Sequence, residues 1–145
     1  MESTKEVIND LLVEVFNHIL SIEQHNLRKR GVKISMNEVH VLEAITKTKE
    51  PTMTHIANRL RVTVGTLTTA INRLVEKGYV QRERLASDKR RVIVSITKKA
   101  RDVLKIHDQF HDEMIEATIR DMKLDQDENL IQALSNLKAY FRNHY

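Results

Sequence analysis

Between Arg82 and Arg101, eight cations (Arg82, Arg84, Lys89, Arg90, Arg91, Lys98, Lys99 and Arg101) stand against two acids, Glu83 and Asp88. That is net +6 in 20 residues, whereas the whole 145-residue chain carries +4 at pH 7, so the remainder sums to −2. Charge placed this way suits a polyanion, whose phosphates reward clustered Lys and Arg. Just upstream, Thr63, Thr66, Thr68, Thr69, Asn72 and Arg73 supply short or forked donors suited to phosphate oxygens and base edges. A second grouping is of metal-ligand type. His107 and His111 are four apart, a spacing that puts two imidazoles on one helix face, and Glu23 and His40 lie on segments that can pack nearby, a set able to hold zinc.

Other chemistry is poorly represented. No Ser-His-Asp grouping has a recognisable local context, no glycine-rich phosphate loop exists, and the seven histidines form no reaction-specific constellation, so neither an enzyme nor a cofactor is expected. The absence of cysteine excludes disulfides and thiolate metal sites and is compatible with a reducing compartment. No apolar run approaches the roughly 20 residues that cross a bilayer, so a cytoplasmic protein without membrane contact is expected. Apolar content of 41% is enough for a core, and three glycines with one proline point to long, sparsely punctuated helices.

The elements that must position these groups follow from periodicity. Ile8, Leu11, Leu12, Val15, Phe16, Ile19 and Ile22 predict one helix over Lys5 to Arg30, stopped by Gly31. Ser35 with Glu38 is a capping box, with Ile34 as hydrophobic staple, opening a helix that carries Val39, Leu42 and Ile45 inward. Pro51 precedes a short helix over Met53 to Leu60. Thr63 caps a further helix to Lys77, with Gly78 just past its end. On that helix Val64, Leu67, Ile71, Leu74 and Val75 form one side, and Gly65, Thr66, Thr69, Asn72, Arg73 and Glu76 the other. The outer side is built of short residues, so it can approach a groove floor.

Tyr79 to Arg84 and Arg91 to Ile96 are β-prone, joined by a tip from Leu85 to Arg90 that carries Ser87, Asp88, Lys89 and Arg90. Such a hairpin can reach from the major groove to the neighbouring minor groove, where arginine gains from the focused potential of A/T-rich tracts. Asp88 is expected to orient a neighbouring arginine. Thr97 caps a long helix to Met122, with Ala100, Val103, Leu104, Phe110, Met114, Ile115, Thr118 and Met122 on its apolar side. Asp125 with Glu128 opens a last helix carrying Leu130, Ile131, Leu134, Leu137 and Phe141. The fold class expected is mainly α with a small β-hairpin wing: a winged helix-turn-helix domain over residues 35–97 and a helical dimerisation region from residues 1–34 and 98–145. A homodimer would set two reading helices about 34–36 Å apart, matching a pseudo-palindromic operator in double-stranded DNA.

The chain resembles the MarR family of transcriptional regulators. The family's wing pattern Asp-x-Arg-x-x-x-Val-x-Leu-Thr stands here as Asp88, Arg90, Val94, Ile96 and Thr97, with Ile in place of Leu, and Leu74-Val75-Glu76-Lys77-Gly78-Tyr79-Val80 is similar to its turn from reading helix to wing. The resemblance implies a major-groove helix from Thr63, Arg90 in the minor groove and dimerising terminal helices. Several segments, among them Ile8-Asn9-Asp10-Leu11-Leu12, Asn26-Leu27-Arg28, Gly65-Thr66-Leu67-Thr68-Thr69 and Phe110-His111, are similar to the subgroup that represses fatty-acid synthesis genes. That implies long-chain acyl-acyl carrier protein as co-repressor. Leu20, Val39, Leu42, Phe110, Met114 and Ile115 could line a slot for a fatty chain, and Arg28, Lys29 and Arg30 with Lys33 could meet an acidic carrier. The rival signal is zinc, through Glu23, His40, His107 and His111, since some regulators of this type sense zinc through similar histidines.

Overall fold

The computed structural model describes residues 1–145, which divide into two compact units, residues 1–107 and 108–145. The first contains α1 (Thr4–Asp10), a π turn (Leu11–Val15), α2 (Phe16–Lys29), α3 (Met36–Lys47), α4 (Met53–Leu60), α5 (Val64–Glu76), β1 (Val80–Arg84), β2 (Val92–Ile96) and the first turns of α6 (Lys98–Met122). The second contains the rest of α6, a 3₁₀ turn (Leu124–Gln126) and α7 (Glu128–His144). The mainly helical architecture with one two-stranded hairpin is the fold class expected.

The single helix expected from Lys5 to Arg30 carries a π turn, seen where the Phe16 N–H donates to Leu11 C=O five residues back. Leu11, Leu12, Val13 and Val15 in this turn, and Phe16 just after it, are all exposed in this chain. The capping box of α3 is present in both directions: Ser35 Oγ accepts from the Glu38 N–H at 3.2 Å and Glu38 Oε2 accepts from the Ser35 N–H at 2.8 Å. Ile34 and Val39, the staple positions, are both buried. Helix α4 has the expected bounds, but its start is set by Thr52, whose Oγ1 accepts from the His55 N–H at 3.2 Å.

Leu27, Ile34, Leu42, Ile56, Leu67, Ile71, Leu74 and Val94 are fully buried side chains of one core that seats α5 and the hairpin. Val64, expected on the inner side of α5, is exposed instead. It occupies the first helical position, where no other element covers it. The hairpin is antiparallel in the register Val80↔Ile96, Arg82↔Val94, Arg84↔Val92. An isolated bridge between Thr52 and Ile93, with the Val94 N–H donating to Pro51 C=O at 3.0 Å, covers the outer side of β2. Ile93 is therefore half-buried, as are Val92, Ser95 and Ile96 on the same strand.

In the second unit α6 ends at Lys123, in the left-handed region at φ 53°. The cap of α7 is Asp127, whose Oδ1 accepts from the Leu130 N–H at 3.1 Å. Asp125, expected in that role, lies in the 3₁₀ turn. No residue of α7 is buried, and Ile131, Leu134, Tyr140 and Phe141 are exposed. No helix is long and apolar enough to cross a membrane.

Candidate nucleic-acid interface

Helix α5 is held from beneath by Leu67, Ile71 and Leu74, so its opposite side must face outward, and Thr63, Gly65, Thr66, Thr69, Asn72 and Arg73 are all exposed. Thr63 is the N-cap: its Oγ1 accepts from the Thr66 N–H at 3.1 Å. A Cβ added at Gly65 would meet only Thr63 Oγ1, at 3.9 Å. The fold itself therefore does not require a small residue there. The Thr68 and Thr69 hydroxyls donate back to the carbonyls of Val64 and Gly65, at 2.8 and 3.3 Å. Their methyls and oxygen lone pairs remain to present outward, although Thr68 is half-buried.

The hairpin stands directly after this helix because the turn between them is pinned three times. The Tyr79 N–H donates to Leu74 C=O at 2.9 Å, the Thr97 hydroxyl to Gly78 C=O at 2.7 Å, and Lys99 Nζ to Lys77 C=O at 2.9 Å. Gly78, at φ 81°, occupies a left-handed position suited to its lack of Cβ. Arg82, Arg84, Ser87, Asp88, Lys89, Arg90 and Arg91 are all exposed along the hairpin and its tip. Asp88 bonds the main chain of the tip: its Oδ1 accepts from the Arg90 N–H at 3.0 Å, while the Arg91 N–H donates to Asp88 C=O at 3.0 Å.

Two pairings here have no local sequence signal. Arg91 Nη2 lies 2.5 Å from the Glu50 carboxylate, joining the wing to the segment before α4. Asn72 Oδ1 accepts from the Arg82 guanidinium, joining the outer face of α5 to β1. Both pairs are brought together only by the folding of separate elements.

The other expected residues are placed as follows. Val39 and Leu42 have no exposed surface and belong to the core, while Leu20 is half-buried. Within the second unit Phe110 and Met114 are half-buried and Ile115 is exposed. Arg28, Lys29 and Arg30 are exposed at the end of α2. None of these residues lines the cleft of about 910 Å³ between α3 and α5 bordered by His40, Val41, Thr66, Ala70, Arg73 and Lys77.

Of the expected metal ligands, Glu23 and His107 are buried side by side, their ligand atoms within 4.8 Å. His111 follows one turn later on α6. His40 is not part of this grouping. Glu43, which the sequence did not single out, lies with Oε1 3.2 Å from His107 Nε2, and this hydrogen bond holds its carboxyl below the usual carboxylate range against the opposing effect of burial.

The MarR family model matches residues 34–92, which span α3 to the start of β2. The transcriptional regulator ZitR of Lactococcus lactis subsp. cremoris is 30% identical over 115 residues, covering 77% of this chain and 79% of that protein. The crystal structure of Streptococcus pneumoniae FabT in complex with DNA is similar with a TM-score of 0.87 and 34% identity, covering 97% of this chain and 99% of that one. The transcriptional regulator BldR of Sulfolobus solfataricus has a TM-score of 0.63 at 26% identity, covering 99% of each chain.

Proposed function

Because this chain belongs to the MarR family of DNA-binding transcriptional regulators, we propose that it is a homodimeric repressor of fatty-acid synthesis genes with long-chain acyl-acyl carrier protein as co-repressor. The observation that carries this reading is the likeness to FabT in complex with DNA, 34% identical over nearly the whole of both chains. It agrees with the segments shared with the fatty-acid-synthesis subgroup. The exposed Arg28, Lys29 and Arg30 give an acidic carrier protein a cationic surface outside the DNA-facing elements. The large apolar residues left uncovered on α1, the π turn and α7 suit a two-fold partner, which would present two copies of α5 to a pseudo-palindromic operator.

The test is a mobility-shift titration on duplexes from upstream of fatty-acid synthesis genes, with acyl carrier protein, its long-chain acylated form and zinc added separately. The acylated form alone is expected to tighten binding. Indifference to it, with the DNA still bound, would remove the co-repressor and leave the regulator.

A second reading, zinc as the signal, is favoured by the buried Glu23–His107 pair with His111 one turn along. A carboxylate and two imidazoles fit zinc, and a Glu43 carboxylate accepting from His107 Nε2–H would leave Nδ1 with the lone pair that binds metal. Zinc retained through chelator-free purification, together with zinc-dependent DNA affinity, would select this reading over the first.

A further inference from the structure

The arginines of the interface are attached in different ways. Arg91 faces the Glu50 carboxylate, so much of its charge is cancelled before any DNA arrives. Arg82 is held by a neutral acceptor, Asn72 Oδ1. An amide carbonyl orients a guanidinium without cancelling its charge, and a guanidinium has five N–H donors, so most remain for a phosphate.

The strand register explains why Arg82 meets α5. Side chains two apart share a face of a strand, and residues directly opposite on the partner strand share it too. Arg82 therefore lies on the side occupied by Val80 and by its partner Val94, both of which are buried. That side packs toward the helices, and the Arg82 side chain leaves the hairpin across α5, where Asn72 receives it. The start of β1 is fixed to the end of α5 by the Tyr79 N–H to Leu74 C=O bond, so the span between the two side chains is set by the fold. An asparagine that reads adenine uses its carbonyl and its amide together, and here the carbonyl is already engaged.

We infer that Asn72 is a positioning residue that acts on DNA through Arg82, aiming this guanidinium at a backbone phosphate beside the groove that α5 enters, and is not itself a base reader. Asn72 carries no charge, so its own removal cannot release a counterion. A change in salt dependence on replacing it reports on Arg82.

The experiment uses the full chain and a duplex selected from a random pool by the parent protein. Affinity is measured across a potassium chloride series for the parent, Asn72→Ala, Arg82→Ala and the double variant. Melting curves should match, since both side chains are exposed. Arg82→Ala should flatten the slope of log affinity against log salt by about one for each phosphate it no longer neutralises. Asn72→Ala should flatten it in the same sense, and the double variant should match Arg82→Ala alone. Parent-like slopes in Asn72→Ala, a changed base preference in the duplexes that variant selects, or full additivity of the two substitutions would each overturn the assignment. Parent-like slopes in Arg82→Ala would do so as well, because Arg82 would then touch no phosphate.

Discussion

The Arg91 guanidinium and the Glu50 carboxylate meet at 2.5 Å, with 43% and 44% of the two side chains exposed. The wing is thereby tied to the segment leading into α4 by a solvent-screened pair worth at most about 1 kcal/mol. Its larger consequence is electrostatic, since it places an anion beside the exposed arginines of the hairpin. Glu50→Gln should leave the unfolding midpoint almost unchanged, raise DNA affinity at low salt and steepen its salt dependence by up to about one neutralised phosphate. Fluorescence anisotropy over a salt series measures this, and weaker binding would mean that the tie matters more than the freed cation.

Arg90 is held through its main chain by Asp88, a bond that takes no part of its guanidinium. Arg90→Ala should weaken operator binding more than Lys89→Ala, by about 1–3 kcal/mol, with the greater effect on A/T-rich flanks. Asp88→Ala should also weaken binding, although it removes a negative charge, because the tip then lacks the Asp88 Oδ1 to Arg90 N–H bond. Tighter binding by Asp88→Ala would show that its charge outweighs its orienting role.

Glu38 closes the α3 capping box and also pairs with Lys77 at 2.9 Å, linking α3 to the residue that caps the end of α5. Burial pushes its carboxyl upward, but the Ser35 N–H and the Lys77 ammonium outweigh this and hold it below the ordinary value. A carboxyl lowered on folding contributes stability that is present at neutral pH and is lost as pH falls through its folded value. Urea unfolding should therefore show Glu38→Gln, which can still close the box, to lose stability less steeply on acidification than the parent. Glu38→Ala should cost about 1 kcal/mol or more at pH 7. Identical acid limbs in parent and Glu38→Gln would remove Glu38 from the acid response.

Phe16 is 57% exposed within one chain, beside Leu12 and Val15, although such residues normally seek cover. Phe16→Asp should keep the helix content seen by circular dichroism, halve the mass found by sedimentation and remove cooperative binding to two half-sites. A parent-like mass would remove Phe16 from the proposed dimer interface.

Much of the frame of the candidate interface was legible because it is built from short-range rules. Ser35 and Glu38 are three residues apart, as are Thr63 and Thr66, so side chain and backbone meet wherever a helix begins. Gly78 marks a left-handed position, and period and charge place the wing tip. Local rules failed where the deciding partner was distant or where neighbouring candidates competed. Val64 obeyed the helical wheel but found no element above it. Asp127 displaced Asp125 as the cap of α7 because the intervening 3₁₀ turn moved the start of the helix.

The order of the chain alone determined which helix would show its short side chains and where the cations would gather, because caps, periodicity and turn residues act within a few positions. Folding decided which cations are free. Glu50 reaches Arg91 across 41 positions, Glu43 reaches His107 across 64, and Asn72 takes hold of Arg82 only because β1 turns its inner side toward α5. Such pairings depend on where separately formed elements pack, and packing depends on the whole core at once.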